Sequence, residues 1–170
     1  MSYNVRDDNG LVGPAAGVEI LNGAGAPTIV NHQLVEVVGL FGLTASTAVN
    51  GKYCVFIAPP NPSAATGIAP LGSKYQVLGI QYSYNTASAS GTLAFEICAP
   101  GTADGSGVNV GSSATFSTSA ASTNTPLQAG LNSNIDNLQL SPNSRLNVIL
   151  AGTWTGLVNL AVCVYVARIA

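Results

Sequence analysis

The sequence predicts an all-β protein: an antiparallel β-sandwich of jelly-roll-like form, residues 31–170, preceded by an extended N-terminal arm over residues 1–30. Three observations carry that expectation. No window places apolar residues at i, i+3, i+4 and i+7 between capping residues, so amphipathic helices are not expected. Short apolar runs with period-two alternation recur between clusters of Gly, Pro, Asn and Ser. Finally, only 7% of residues are charged while 47% are apolar. Typical soluble domains carry roughly 25% charged residues. Small polar residues fill the places of Lys and Glu, as on short strands that touch other protein rather than water.

The arm comes first. Residues 1–30 contain DDNG, GPAAG and NGAGAP, show no periodicity, and cannot pack a core alone. In this arm Val12 and Ile20 are the apolar side chains expected to meet a neighbouring subunit. HQLVEVVGLFGL (32–43) and KYCVFIAP (52–59) read as strands around the turn dipeptide Asn50-Gly51. APPNPSAATGIAPLGS (58–73) is a long loop stiffened by prolines. KYQVLGIQYSY (74–84) places Leu78, Ile80, Tyr82 and Tyr84 on one face, and Val77, Gly79, Gln81 and Ser83 on the other. GTLAFEICA (91–99) places Leu93, Phe95 and Ile97 opposite Ala94, Glu96 and Cys98. The polar NTASASG between those two runs predicts a hairpin.

APGTADGSGVNVGSS (99–113) is a second long loop, followed by weaker strands at ATFSTS (114–119), PLQAGL (126–131) and NIDNLQL (134–140). A second hairpin is predicted from RLNVILAGT (145–153) and LVNLAVCVYVARI (157–169), joined around Trp154. The total, seven to nine short strands at regular spacing, fits a sandwich or jelly roll.

The last of these runs is the most apolar. Val158, Leu160, Val162, Val164 and Val166 share one face, suited to the core. The other face carries Asn159, Ala161, Cys163, Tyr165 and Ala167, small and uncharged where a solvated antiparallel strand would be hydrophilic. The expectation is a central strand covered on both sides, with Ala161, Cys163 and Tyr165, together with the turn residue Trp154, at a subunit interface.

Several function classes find no support. The five Lys and Arg residues are scattered singly, so no basic face for nucleic acid is expected. No run reaches eighteen apolar residues, so no membrane-spanning helix is expected, and MSYNVRDDNG is not built like a secretion signal. The three cysteines, Cys54, Cys98 and Cys163, lie in strand-like runs without CxxC spacing and read as buried reduced thiols. His32 is the one histidine, so any nucleophile–base pair must pass through it, and no nucleophile elbow lies near. Glu36 and Glu96 read as strand carboxylates on solvent or interface faces rather than a glycosidase pair. DDNG and ADGSG lack the alternating ligands of a calcium loop and read as turns. No enzyme activity, cofactor or metal is expected. An aromatic sugar platform built on Tyr75, Tyr82, Tyr84 and Trp154 is the remaining binding site the residue types allow.

The segment LQLSPNSRLNVILAGTWTGLVNLAVCVYVARI (138–169) resembles the end of small head proteins of tailed bacteriophages. In those, a Leu-x-Leu, a turn, Arg-Leu, an apolar strand, Gly-Thr, a turn and a long apolar strand ending Arg-Ile close a β-sandwich. Elsewhere the resemblance lies in composition alone. It implies a capsid decoration (cement) protein, commonly trimeric, on the outer surface of a virion assembled in the host cytoplasm. Its partners would be itself and the major capsid protein. That family type has no catalytic residues to transfer. The competing expectation is a phage tail or fibre module that binds host glycans, with Trp154 or Tyr75 exposed at a sandwich edge.

Overall fold

A computed structural model describes residues 35–60, 74–120 and 125–169, together with the backbone of Val18–Leu21 and Pro27–Val30. The chain divides into two units, Met1–Leu34 and Val35–Ala170. In the first, β1 (Val18–Leu21) and β2 (Pro27–Val30) pair antiparallel, Val18 opposite Val30 and Leu21 opposite Pro27. The sequence reading of a patternless arm missed this ribbon, because its strands are too short for alternation to register. Ile20 lies opposite Thr28 in it, and Val12 lies outside the described residues.

The second unit contains β3 (Val35–Leu43), β4 (Gly51–Ile57), β5 (Tyr75–Ser83), β6 (Thr92–Cys98), β7 (Val108–Asn109), β8 (Phe116–Ser117), β9 (Leu127–Ala129), β10 (Gln139–Leu140), β11 (Arg145–Ala151) and β12 (Leu160–Arg168). A 3₁₀ turn, Ile135–Leu138, leads into β10. One sheet runs β3-β12-β5, with β9 and β10 both on the far edge of β5. The other runs β4-β11-β6, with β7 and β8 both along β6. All pairs are antiparallel. Consecutive strands β3–β4, β5–β6 and β11–β12 each pass from one sheet to the other, which is the strand order of a jelly roll.

This topology overturns both predicted hairpins. β5 pairs with β12, not β6, and β11 pairs with β4 and β6, not β12. Alternation tells which side chains point inward, and both members of each run do. It does not tell whether two inward faces lie side by side or across a core from each other. Here they face each other: Leu93 and Phe95 of β6 and Leu146, Val148 and Leu150 of β11 are buried with Val77, Ile80 and Tyr82 of β5 and the inner face of β12.

Two registers depart from strict alternation. On β5, Val77 pairs with Val166 and Gly79 with Tyr165, so Leu78 is the extra residue of a bulge. Ile80, Tyr82 and Tyr84 point inward as predicted, but Leu78 turns out and Val77 turns in. On the final strand, Asn159 takes a left-handed φ of 56°. The strand therefore starts at Leu160 and Val158 lies outside the inner face. Leu160, Val162, Val164 and Val166 are fully buried, and β12 is central, flanked by β3 and β5. Gly39 opposite Cys163 allows the β3 backbone to approach the Val162 carbonyl so closely that no Cβ would fit.

Trp154 lies between β11 and β12, 6% exposed. Its indole Nε1 donates to Asn50 Oδ1 at 2.8 Å, and Asn50 Nδ2 donates to the Gly152 carbonyl at 3.0 Å. Trp154 is thus a core residue that ties the turn before β4 to the turn after β11, not the interface residue expected. Burial of its ring outweighs the exposure its Gly-Thr-Trp-Thr-Gly setting suggests.

Candidate functional site

The densest chemistry is an ionic knot beneath the loop that follows β6. Glu96, inward of the loop and 5% exposed, accepts hydrogen bonds from the Gly105 N–H (2.6 Å) and Asn147 Nδ2 (3.0 Å) on Oε1, and from the Gly107 N–H (3.0 Å) on Oε2. Asn147 comes from β11, which places Asn147 opposite Glu96. The same Asn147 Nδ2 reaches Asp104 Oδ1 at 2.9 Å and Cys98 Sγ at 3.5 Å. Arg145 bridges to Asp104 Oδ1 at 3.1 Å and donates to the Thr102 carbonyl, and Lys52 Nζ donates to the Asp104 carbonyl. Gly105, at φ 90°, turns its N–H toward Glu96. A Cβ on Gly107 would lie 2.7 Å from the Ile97 carbonyl oxygen, so only glycine allows the loop to lie this close to β6.

Burial pushes the Glu96 carboxyl up, but the hydrogen bonds from Asn147, Gly105, Gly107 and Cys98 together outweigh it and hold Glu96 below its ordinary value. Cys98 is moved the other way: burial, its hydrogen bond to Glu96 and the nearby carboxylates of Glu96 and Asp104 all raise its thiol, against the opposing charge of Arg145. A buried thiol that resists ionisation is a poor nucleophile.

Glu96, Cys98 and Asp104 bring ligand atoms within 4.8 Å of one another. The donors around them argue against a cation. Both Glu96 oxygens already accept N–H groups, Asp104 is paired with Arg145, and Lys52 Nζ is engaged by the Asp104 backbone carbonyl. Placing a metal there would set its charge against N–H donors. The knot is a clamp that fixes residues 99–107. The sequence reading had Glu96 on a solvent or interface face; it is instead the buried acceptor of this clamp.

A second feature is the outer face of the β3-β12-β5 sheet. Register places Val35, Val37 and Gly39 beside Ala167, Tyr165 and Cys163. Gln76, Gly79, Gln81 and Ser83 lie on the other side of β12. Val37 is 53% and Phe41 61% exposed, Val35 and Leu78 are exposed as well, and no residue of this face is charged. Tyr165 Oη donates to Gln81 Oε1 at 2.8 Å, which spreads its ring along the sheet. Burial raises the Cys163 thiol.

No family model matches the chain, and no curated protein matches it.

The remaining sequence candidates are scattered. His32, Asp7, Asp8 and Val12 lie outside the described residues. Glu36 lies on β3 and Glu96 on β6, in different sheets. The aromatic platform dissolves, because Tyr75, Tyr82, Tyr84 and Trp154 are all buried. Tyr75 meets Phe56 edge-on at 5.0 Å inside the sandwich, and Tyr84 Oη donates to the Ala120 carbonyl. All three cysteines are free; Cys98 is buried as expected, whereas Cys54 is exposed on edge strand β4. Sequence reasoning also missed Asn147 and Arg145. The cue was present: an Asn inside an apolar strand demands a buried partner.

Proposed function

We propose that this chain is a structural virion protein, a capsid decoration (cement) subunit. It binds the outer surface of the shell, associates with itself as a trimer and bridges neighbouring major capsid subunits. Its role on this reading is mechanical, with no bond made or broken. The observation that carries the reading is the uncharged outer face of β3-β12-β5, where Val35, Val37, Phe41 and Leu78 are exposed around Tyr165 and Cys163. A free monomer seldom leaves such a face open. Val49 in the β3–β4 connection and Ile57 at the end of edge strand β4 are exposed as well, and the edge strands β3 and β4 carry few charges to discourage pairing.

The energetics suit a lattice. A specific contact buries roughly 1,000 Å² or more, and apolar burial is worth about 25 cal/mol per Å² before association costs. Many modest contacts then add over the shell, and low charge keeps each of them free of desolvation penalties.

Native mass in solution tests the reading, with capsid co-sedimentation as the second arm. A trimer of three times the 17.1 kDa chain, dissociated by Tyr165→Lys, is the expected result. A wild-type monomer that also fails to sediment with capsids would refute it.

A further inference from the structure

The ionic knot uses buried charge to fix one loop, and that loop forms the wall of a cleft of about 180 Å³. Its floor is aliphatic, Ile97 and the exposed Val108. Opposite the loop stands the 3₁₀ turn with Asp136 and Asn137. Asn134 caps that turn by accepting the Asp136 N–H at 3.1 Å, so both walls are held before any ligand arrives.

The lining polar groups are unspent. Among the described residues, the side chains of Ser106, Asp136, Asn137 and Gln139 make no hydrogen bond. The same is true of Ser144, which is only 2% exposed yet lines the cleft. Its hydroxyl has no protein partner and is not one of the enclosed unpartnered atoms, so it is open to a ligand or water in the cleft. The lining holds no cation, and Arg145 and Lys52 of the knot are committed to the loop. Anionic ligands are therefore disfavoured. A carboxylate next to an amide, as in Asp136-Asn137, can accept from one hydroxyl of a vicinal diol and donate to its neighbour. The volume equals about six water molecules at ~30 Å³ each, well below the ~300 Å³ at which pockets for larger ligands begin.

We infer that this cleft binds a single neutral sugar ring: C–H groups on Ile97 and Val108, hydroxyls on Asp136, Asn137 and the serines. The site is separate from the outer sheet face and does not rest on the virion reading.

An ¹⁵N–¹H titration with the methyl glycosides of glucose, galactose, mannose and N-acetylglucosamine tests it. At least one should give saturable shifts at the amides of Ser106, Gly107 and Asn137, with a Kd on the order of 1 mM. Asn137→Ala should weaken that binding at least tenfold while leaving distant resonances in place, and Asp136→Asn gives an independent second variant. The inference is overturned by unchanged spectra with all four glycosides, by shifts confined to other parts of the sandwich, or by inorganic phosphate moving the same amides.

Discussion

Glu96→Gln removes one charge without changing shape, and its cost follows from the three donors that converge there. Two of them, the Gly105 N–H and Asn147 Nδ2, share Oε1, while the Gly107 N–H uses Oε2. With the amide oxygen in the Oε1 position, the new NH₂ confronts the Gly107 N–H, so that N–H loses its acceptor and the NH₂ itself has none. An unsatisfied buried donor costs about 1–3 kcal/mol, and the two surviving bonds fall from charge-assisted to ordinary strength. The sum is about 3 kcal/mol, a large share of the ~5–15 kcal/mol that holds a domain together. It corresponds to a Tm lowered by about 6–12 °C in a domain of this size.

Urea unfolding at fixed protein concentration, followed by the fluorescence of buried Trp154, measures the loss. The slope m should not change. The pH dependence supplies the sharper criterion. Because the folded state holds Glu96 below its ordinary value, its stabilisation is present above the unfolded carboxyl's pKa, about 4.3. It is lost as pH falls through the lower folded value. Wild type and variant should therefore converge in acid and separate at neutral pH. A loss under about 1 kcal/mol at pH 7, or a gap that stays constant down to acid pH, would refute the clamp.

Three further outcomes are expected. Phe95→Ala empties a fully enclosed site and should cost about 3–5 kcal/mol in the same unfolding assay. A thiol reagent should modify exposed Cys54 in the native protein and reach buried Cys98 only at the rate of unfolding; equal rates would contradict the burial. On the proposed capsid-binding reading, removing residues 1–30, which lie in the separate unit Met1–Leu34, should lower retention on capsids by at least tenfold while leaving the sandwich melting point close to wild type.

How far the sequence could be read depended on the range of the interactions. Period-two alternation is local, so the strands and most inward faces were visible, including the fully buried stripe of β12. Partner choice is not local. The jelly-roll crossing of β5 to β6 looks in sequence like any two strands with a polar link, and both hairpins were misread for that reason. The β5 bulge escaped because one extra residue at Leu78 reverses the faces on either side of it without any compositional mark. The knot escaped because its members, Lys52, Glu96, Asp104, Arg145 and Asn147, come from four segments that adjoin only after β11 inserts between β4 and β6. Trp154 was misplaced because its partner Asn50 is distant along the chain.

The position of β12 also governs when the fold can exist at all. Val35 pairs with Ala167 and Tyr75 with Arg168, so β3 and β5 emerge from the ribosome long before the strand that joins them. Until then β3 has no neighbour among the described strands and half of the core lacks its lid. Closure is thus a late, long-range event, of the kind that folds slowly and leaves sticky edges exposed meanwhile. A chain broken off before residue 160 lacks the middle of the sheet whose outer face we assign to assembly. If the outer face serves assembly as proposed, its formation is tied to completion of the strand at its centre, a timing control that needs no additional factor.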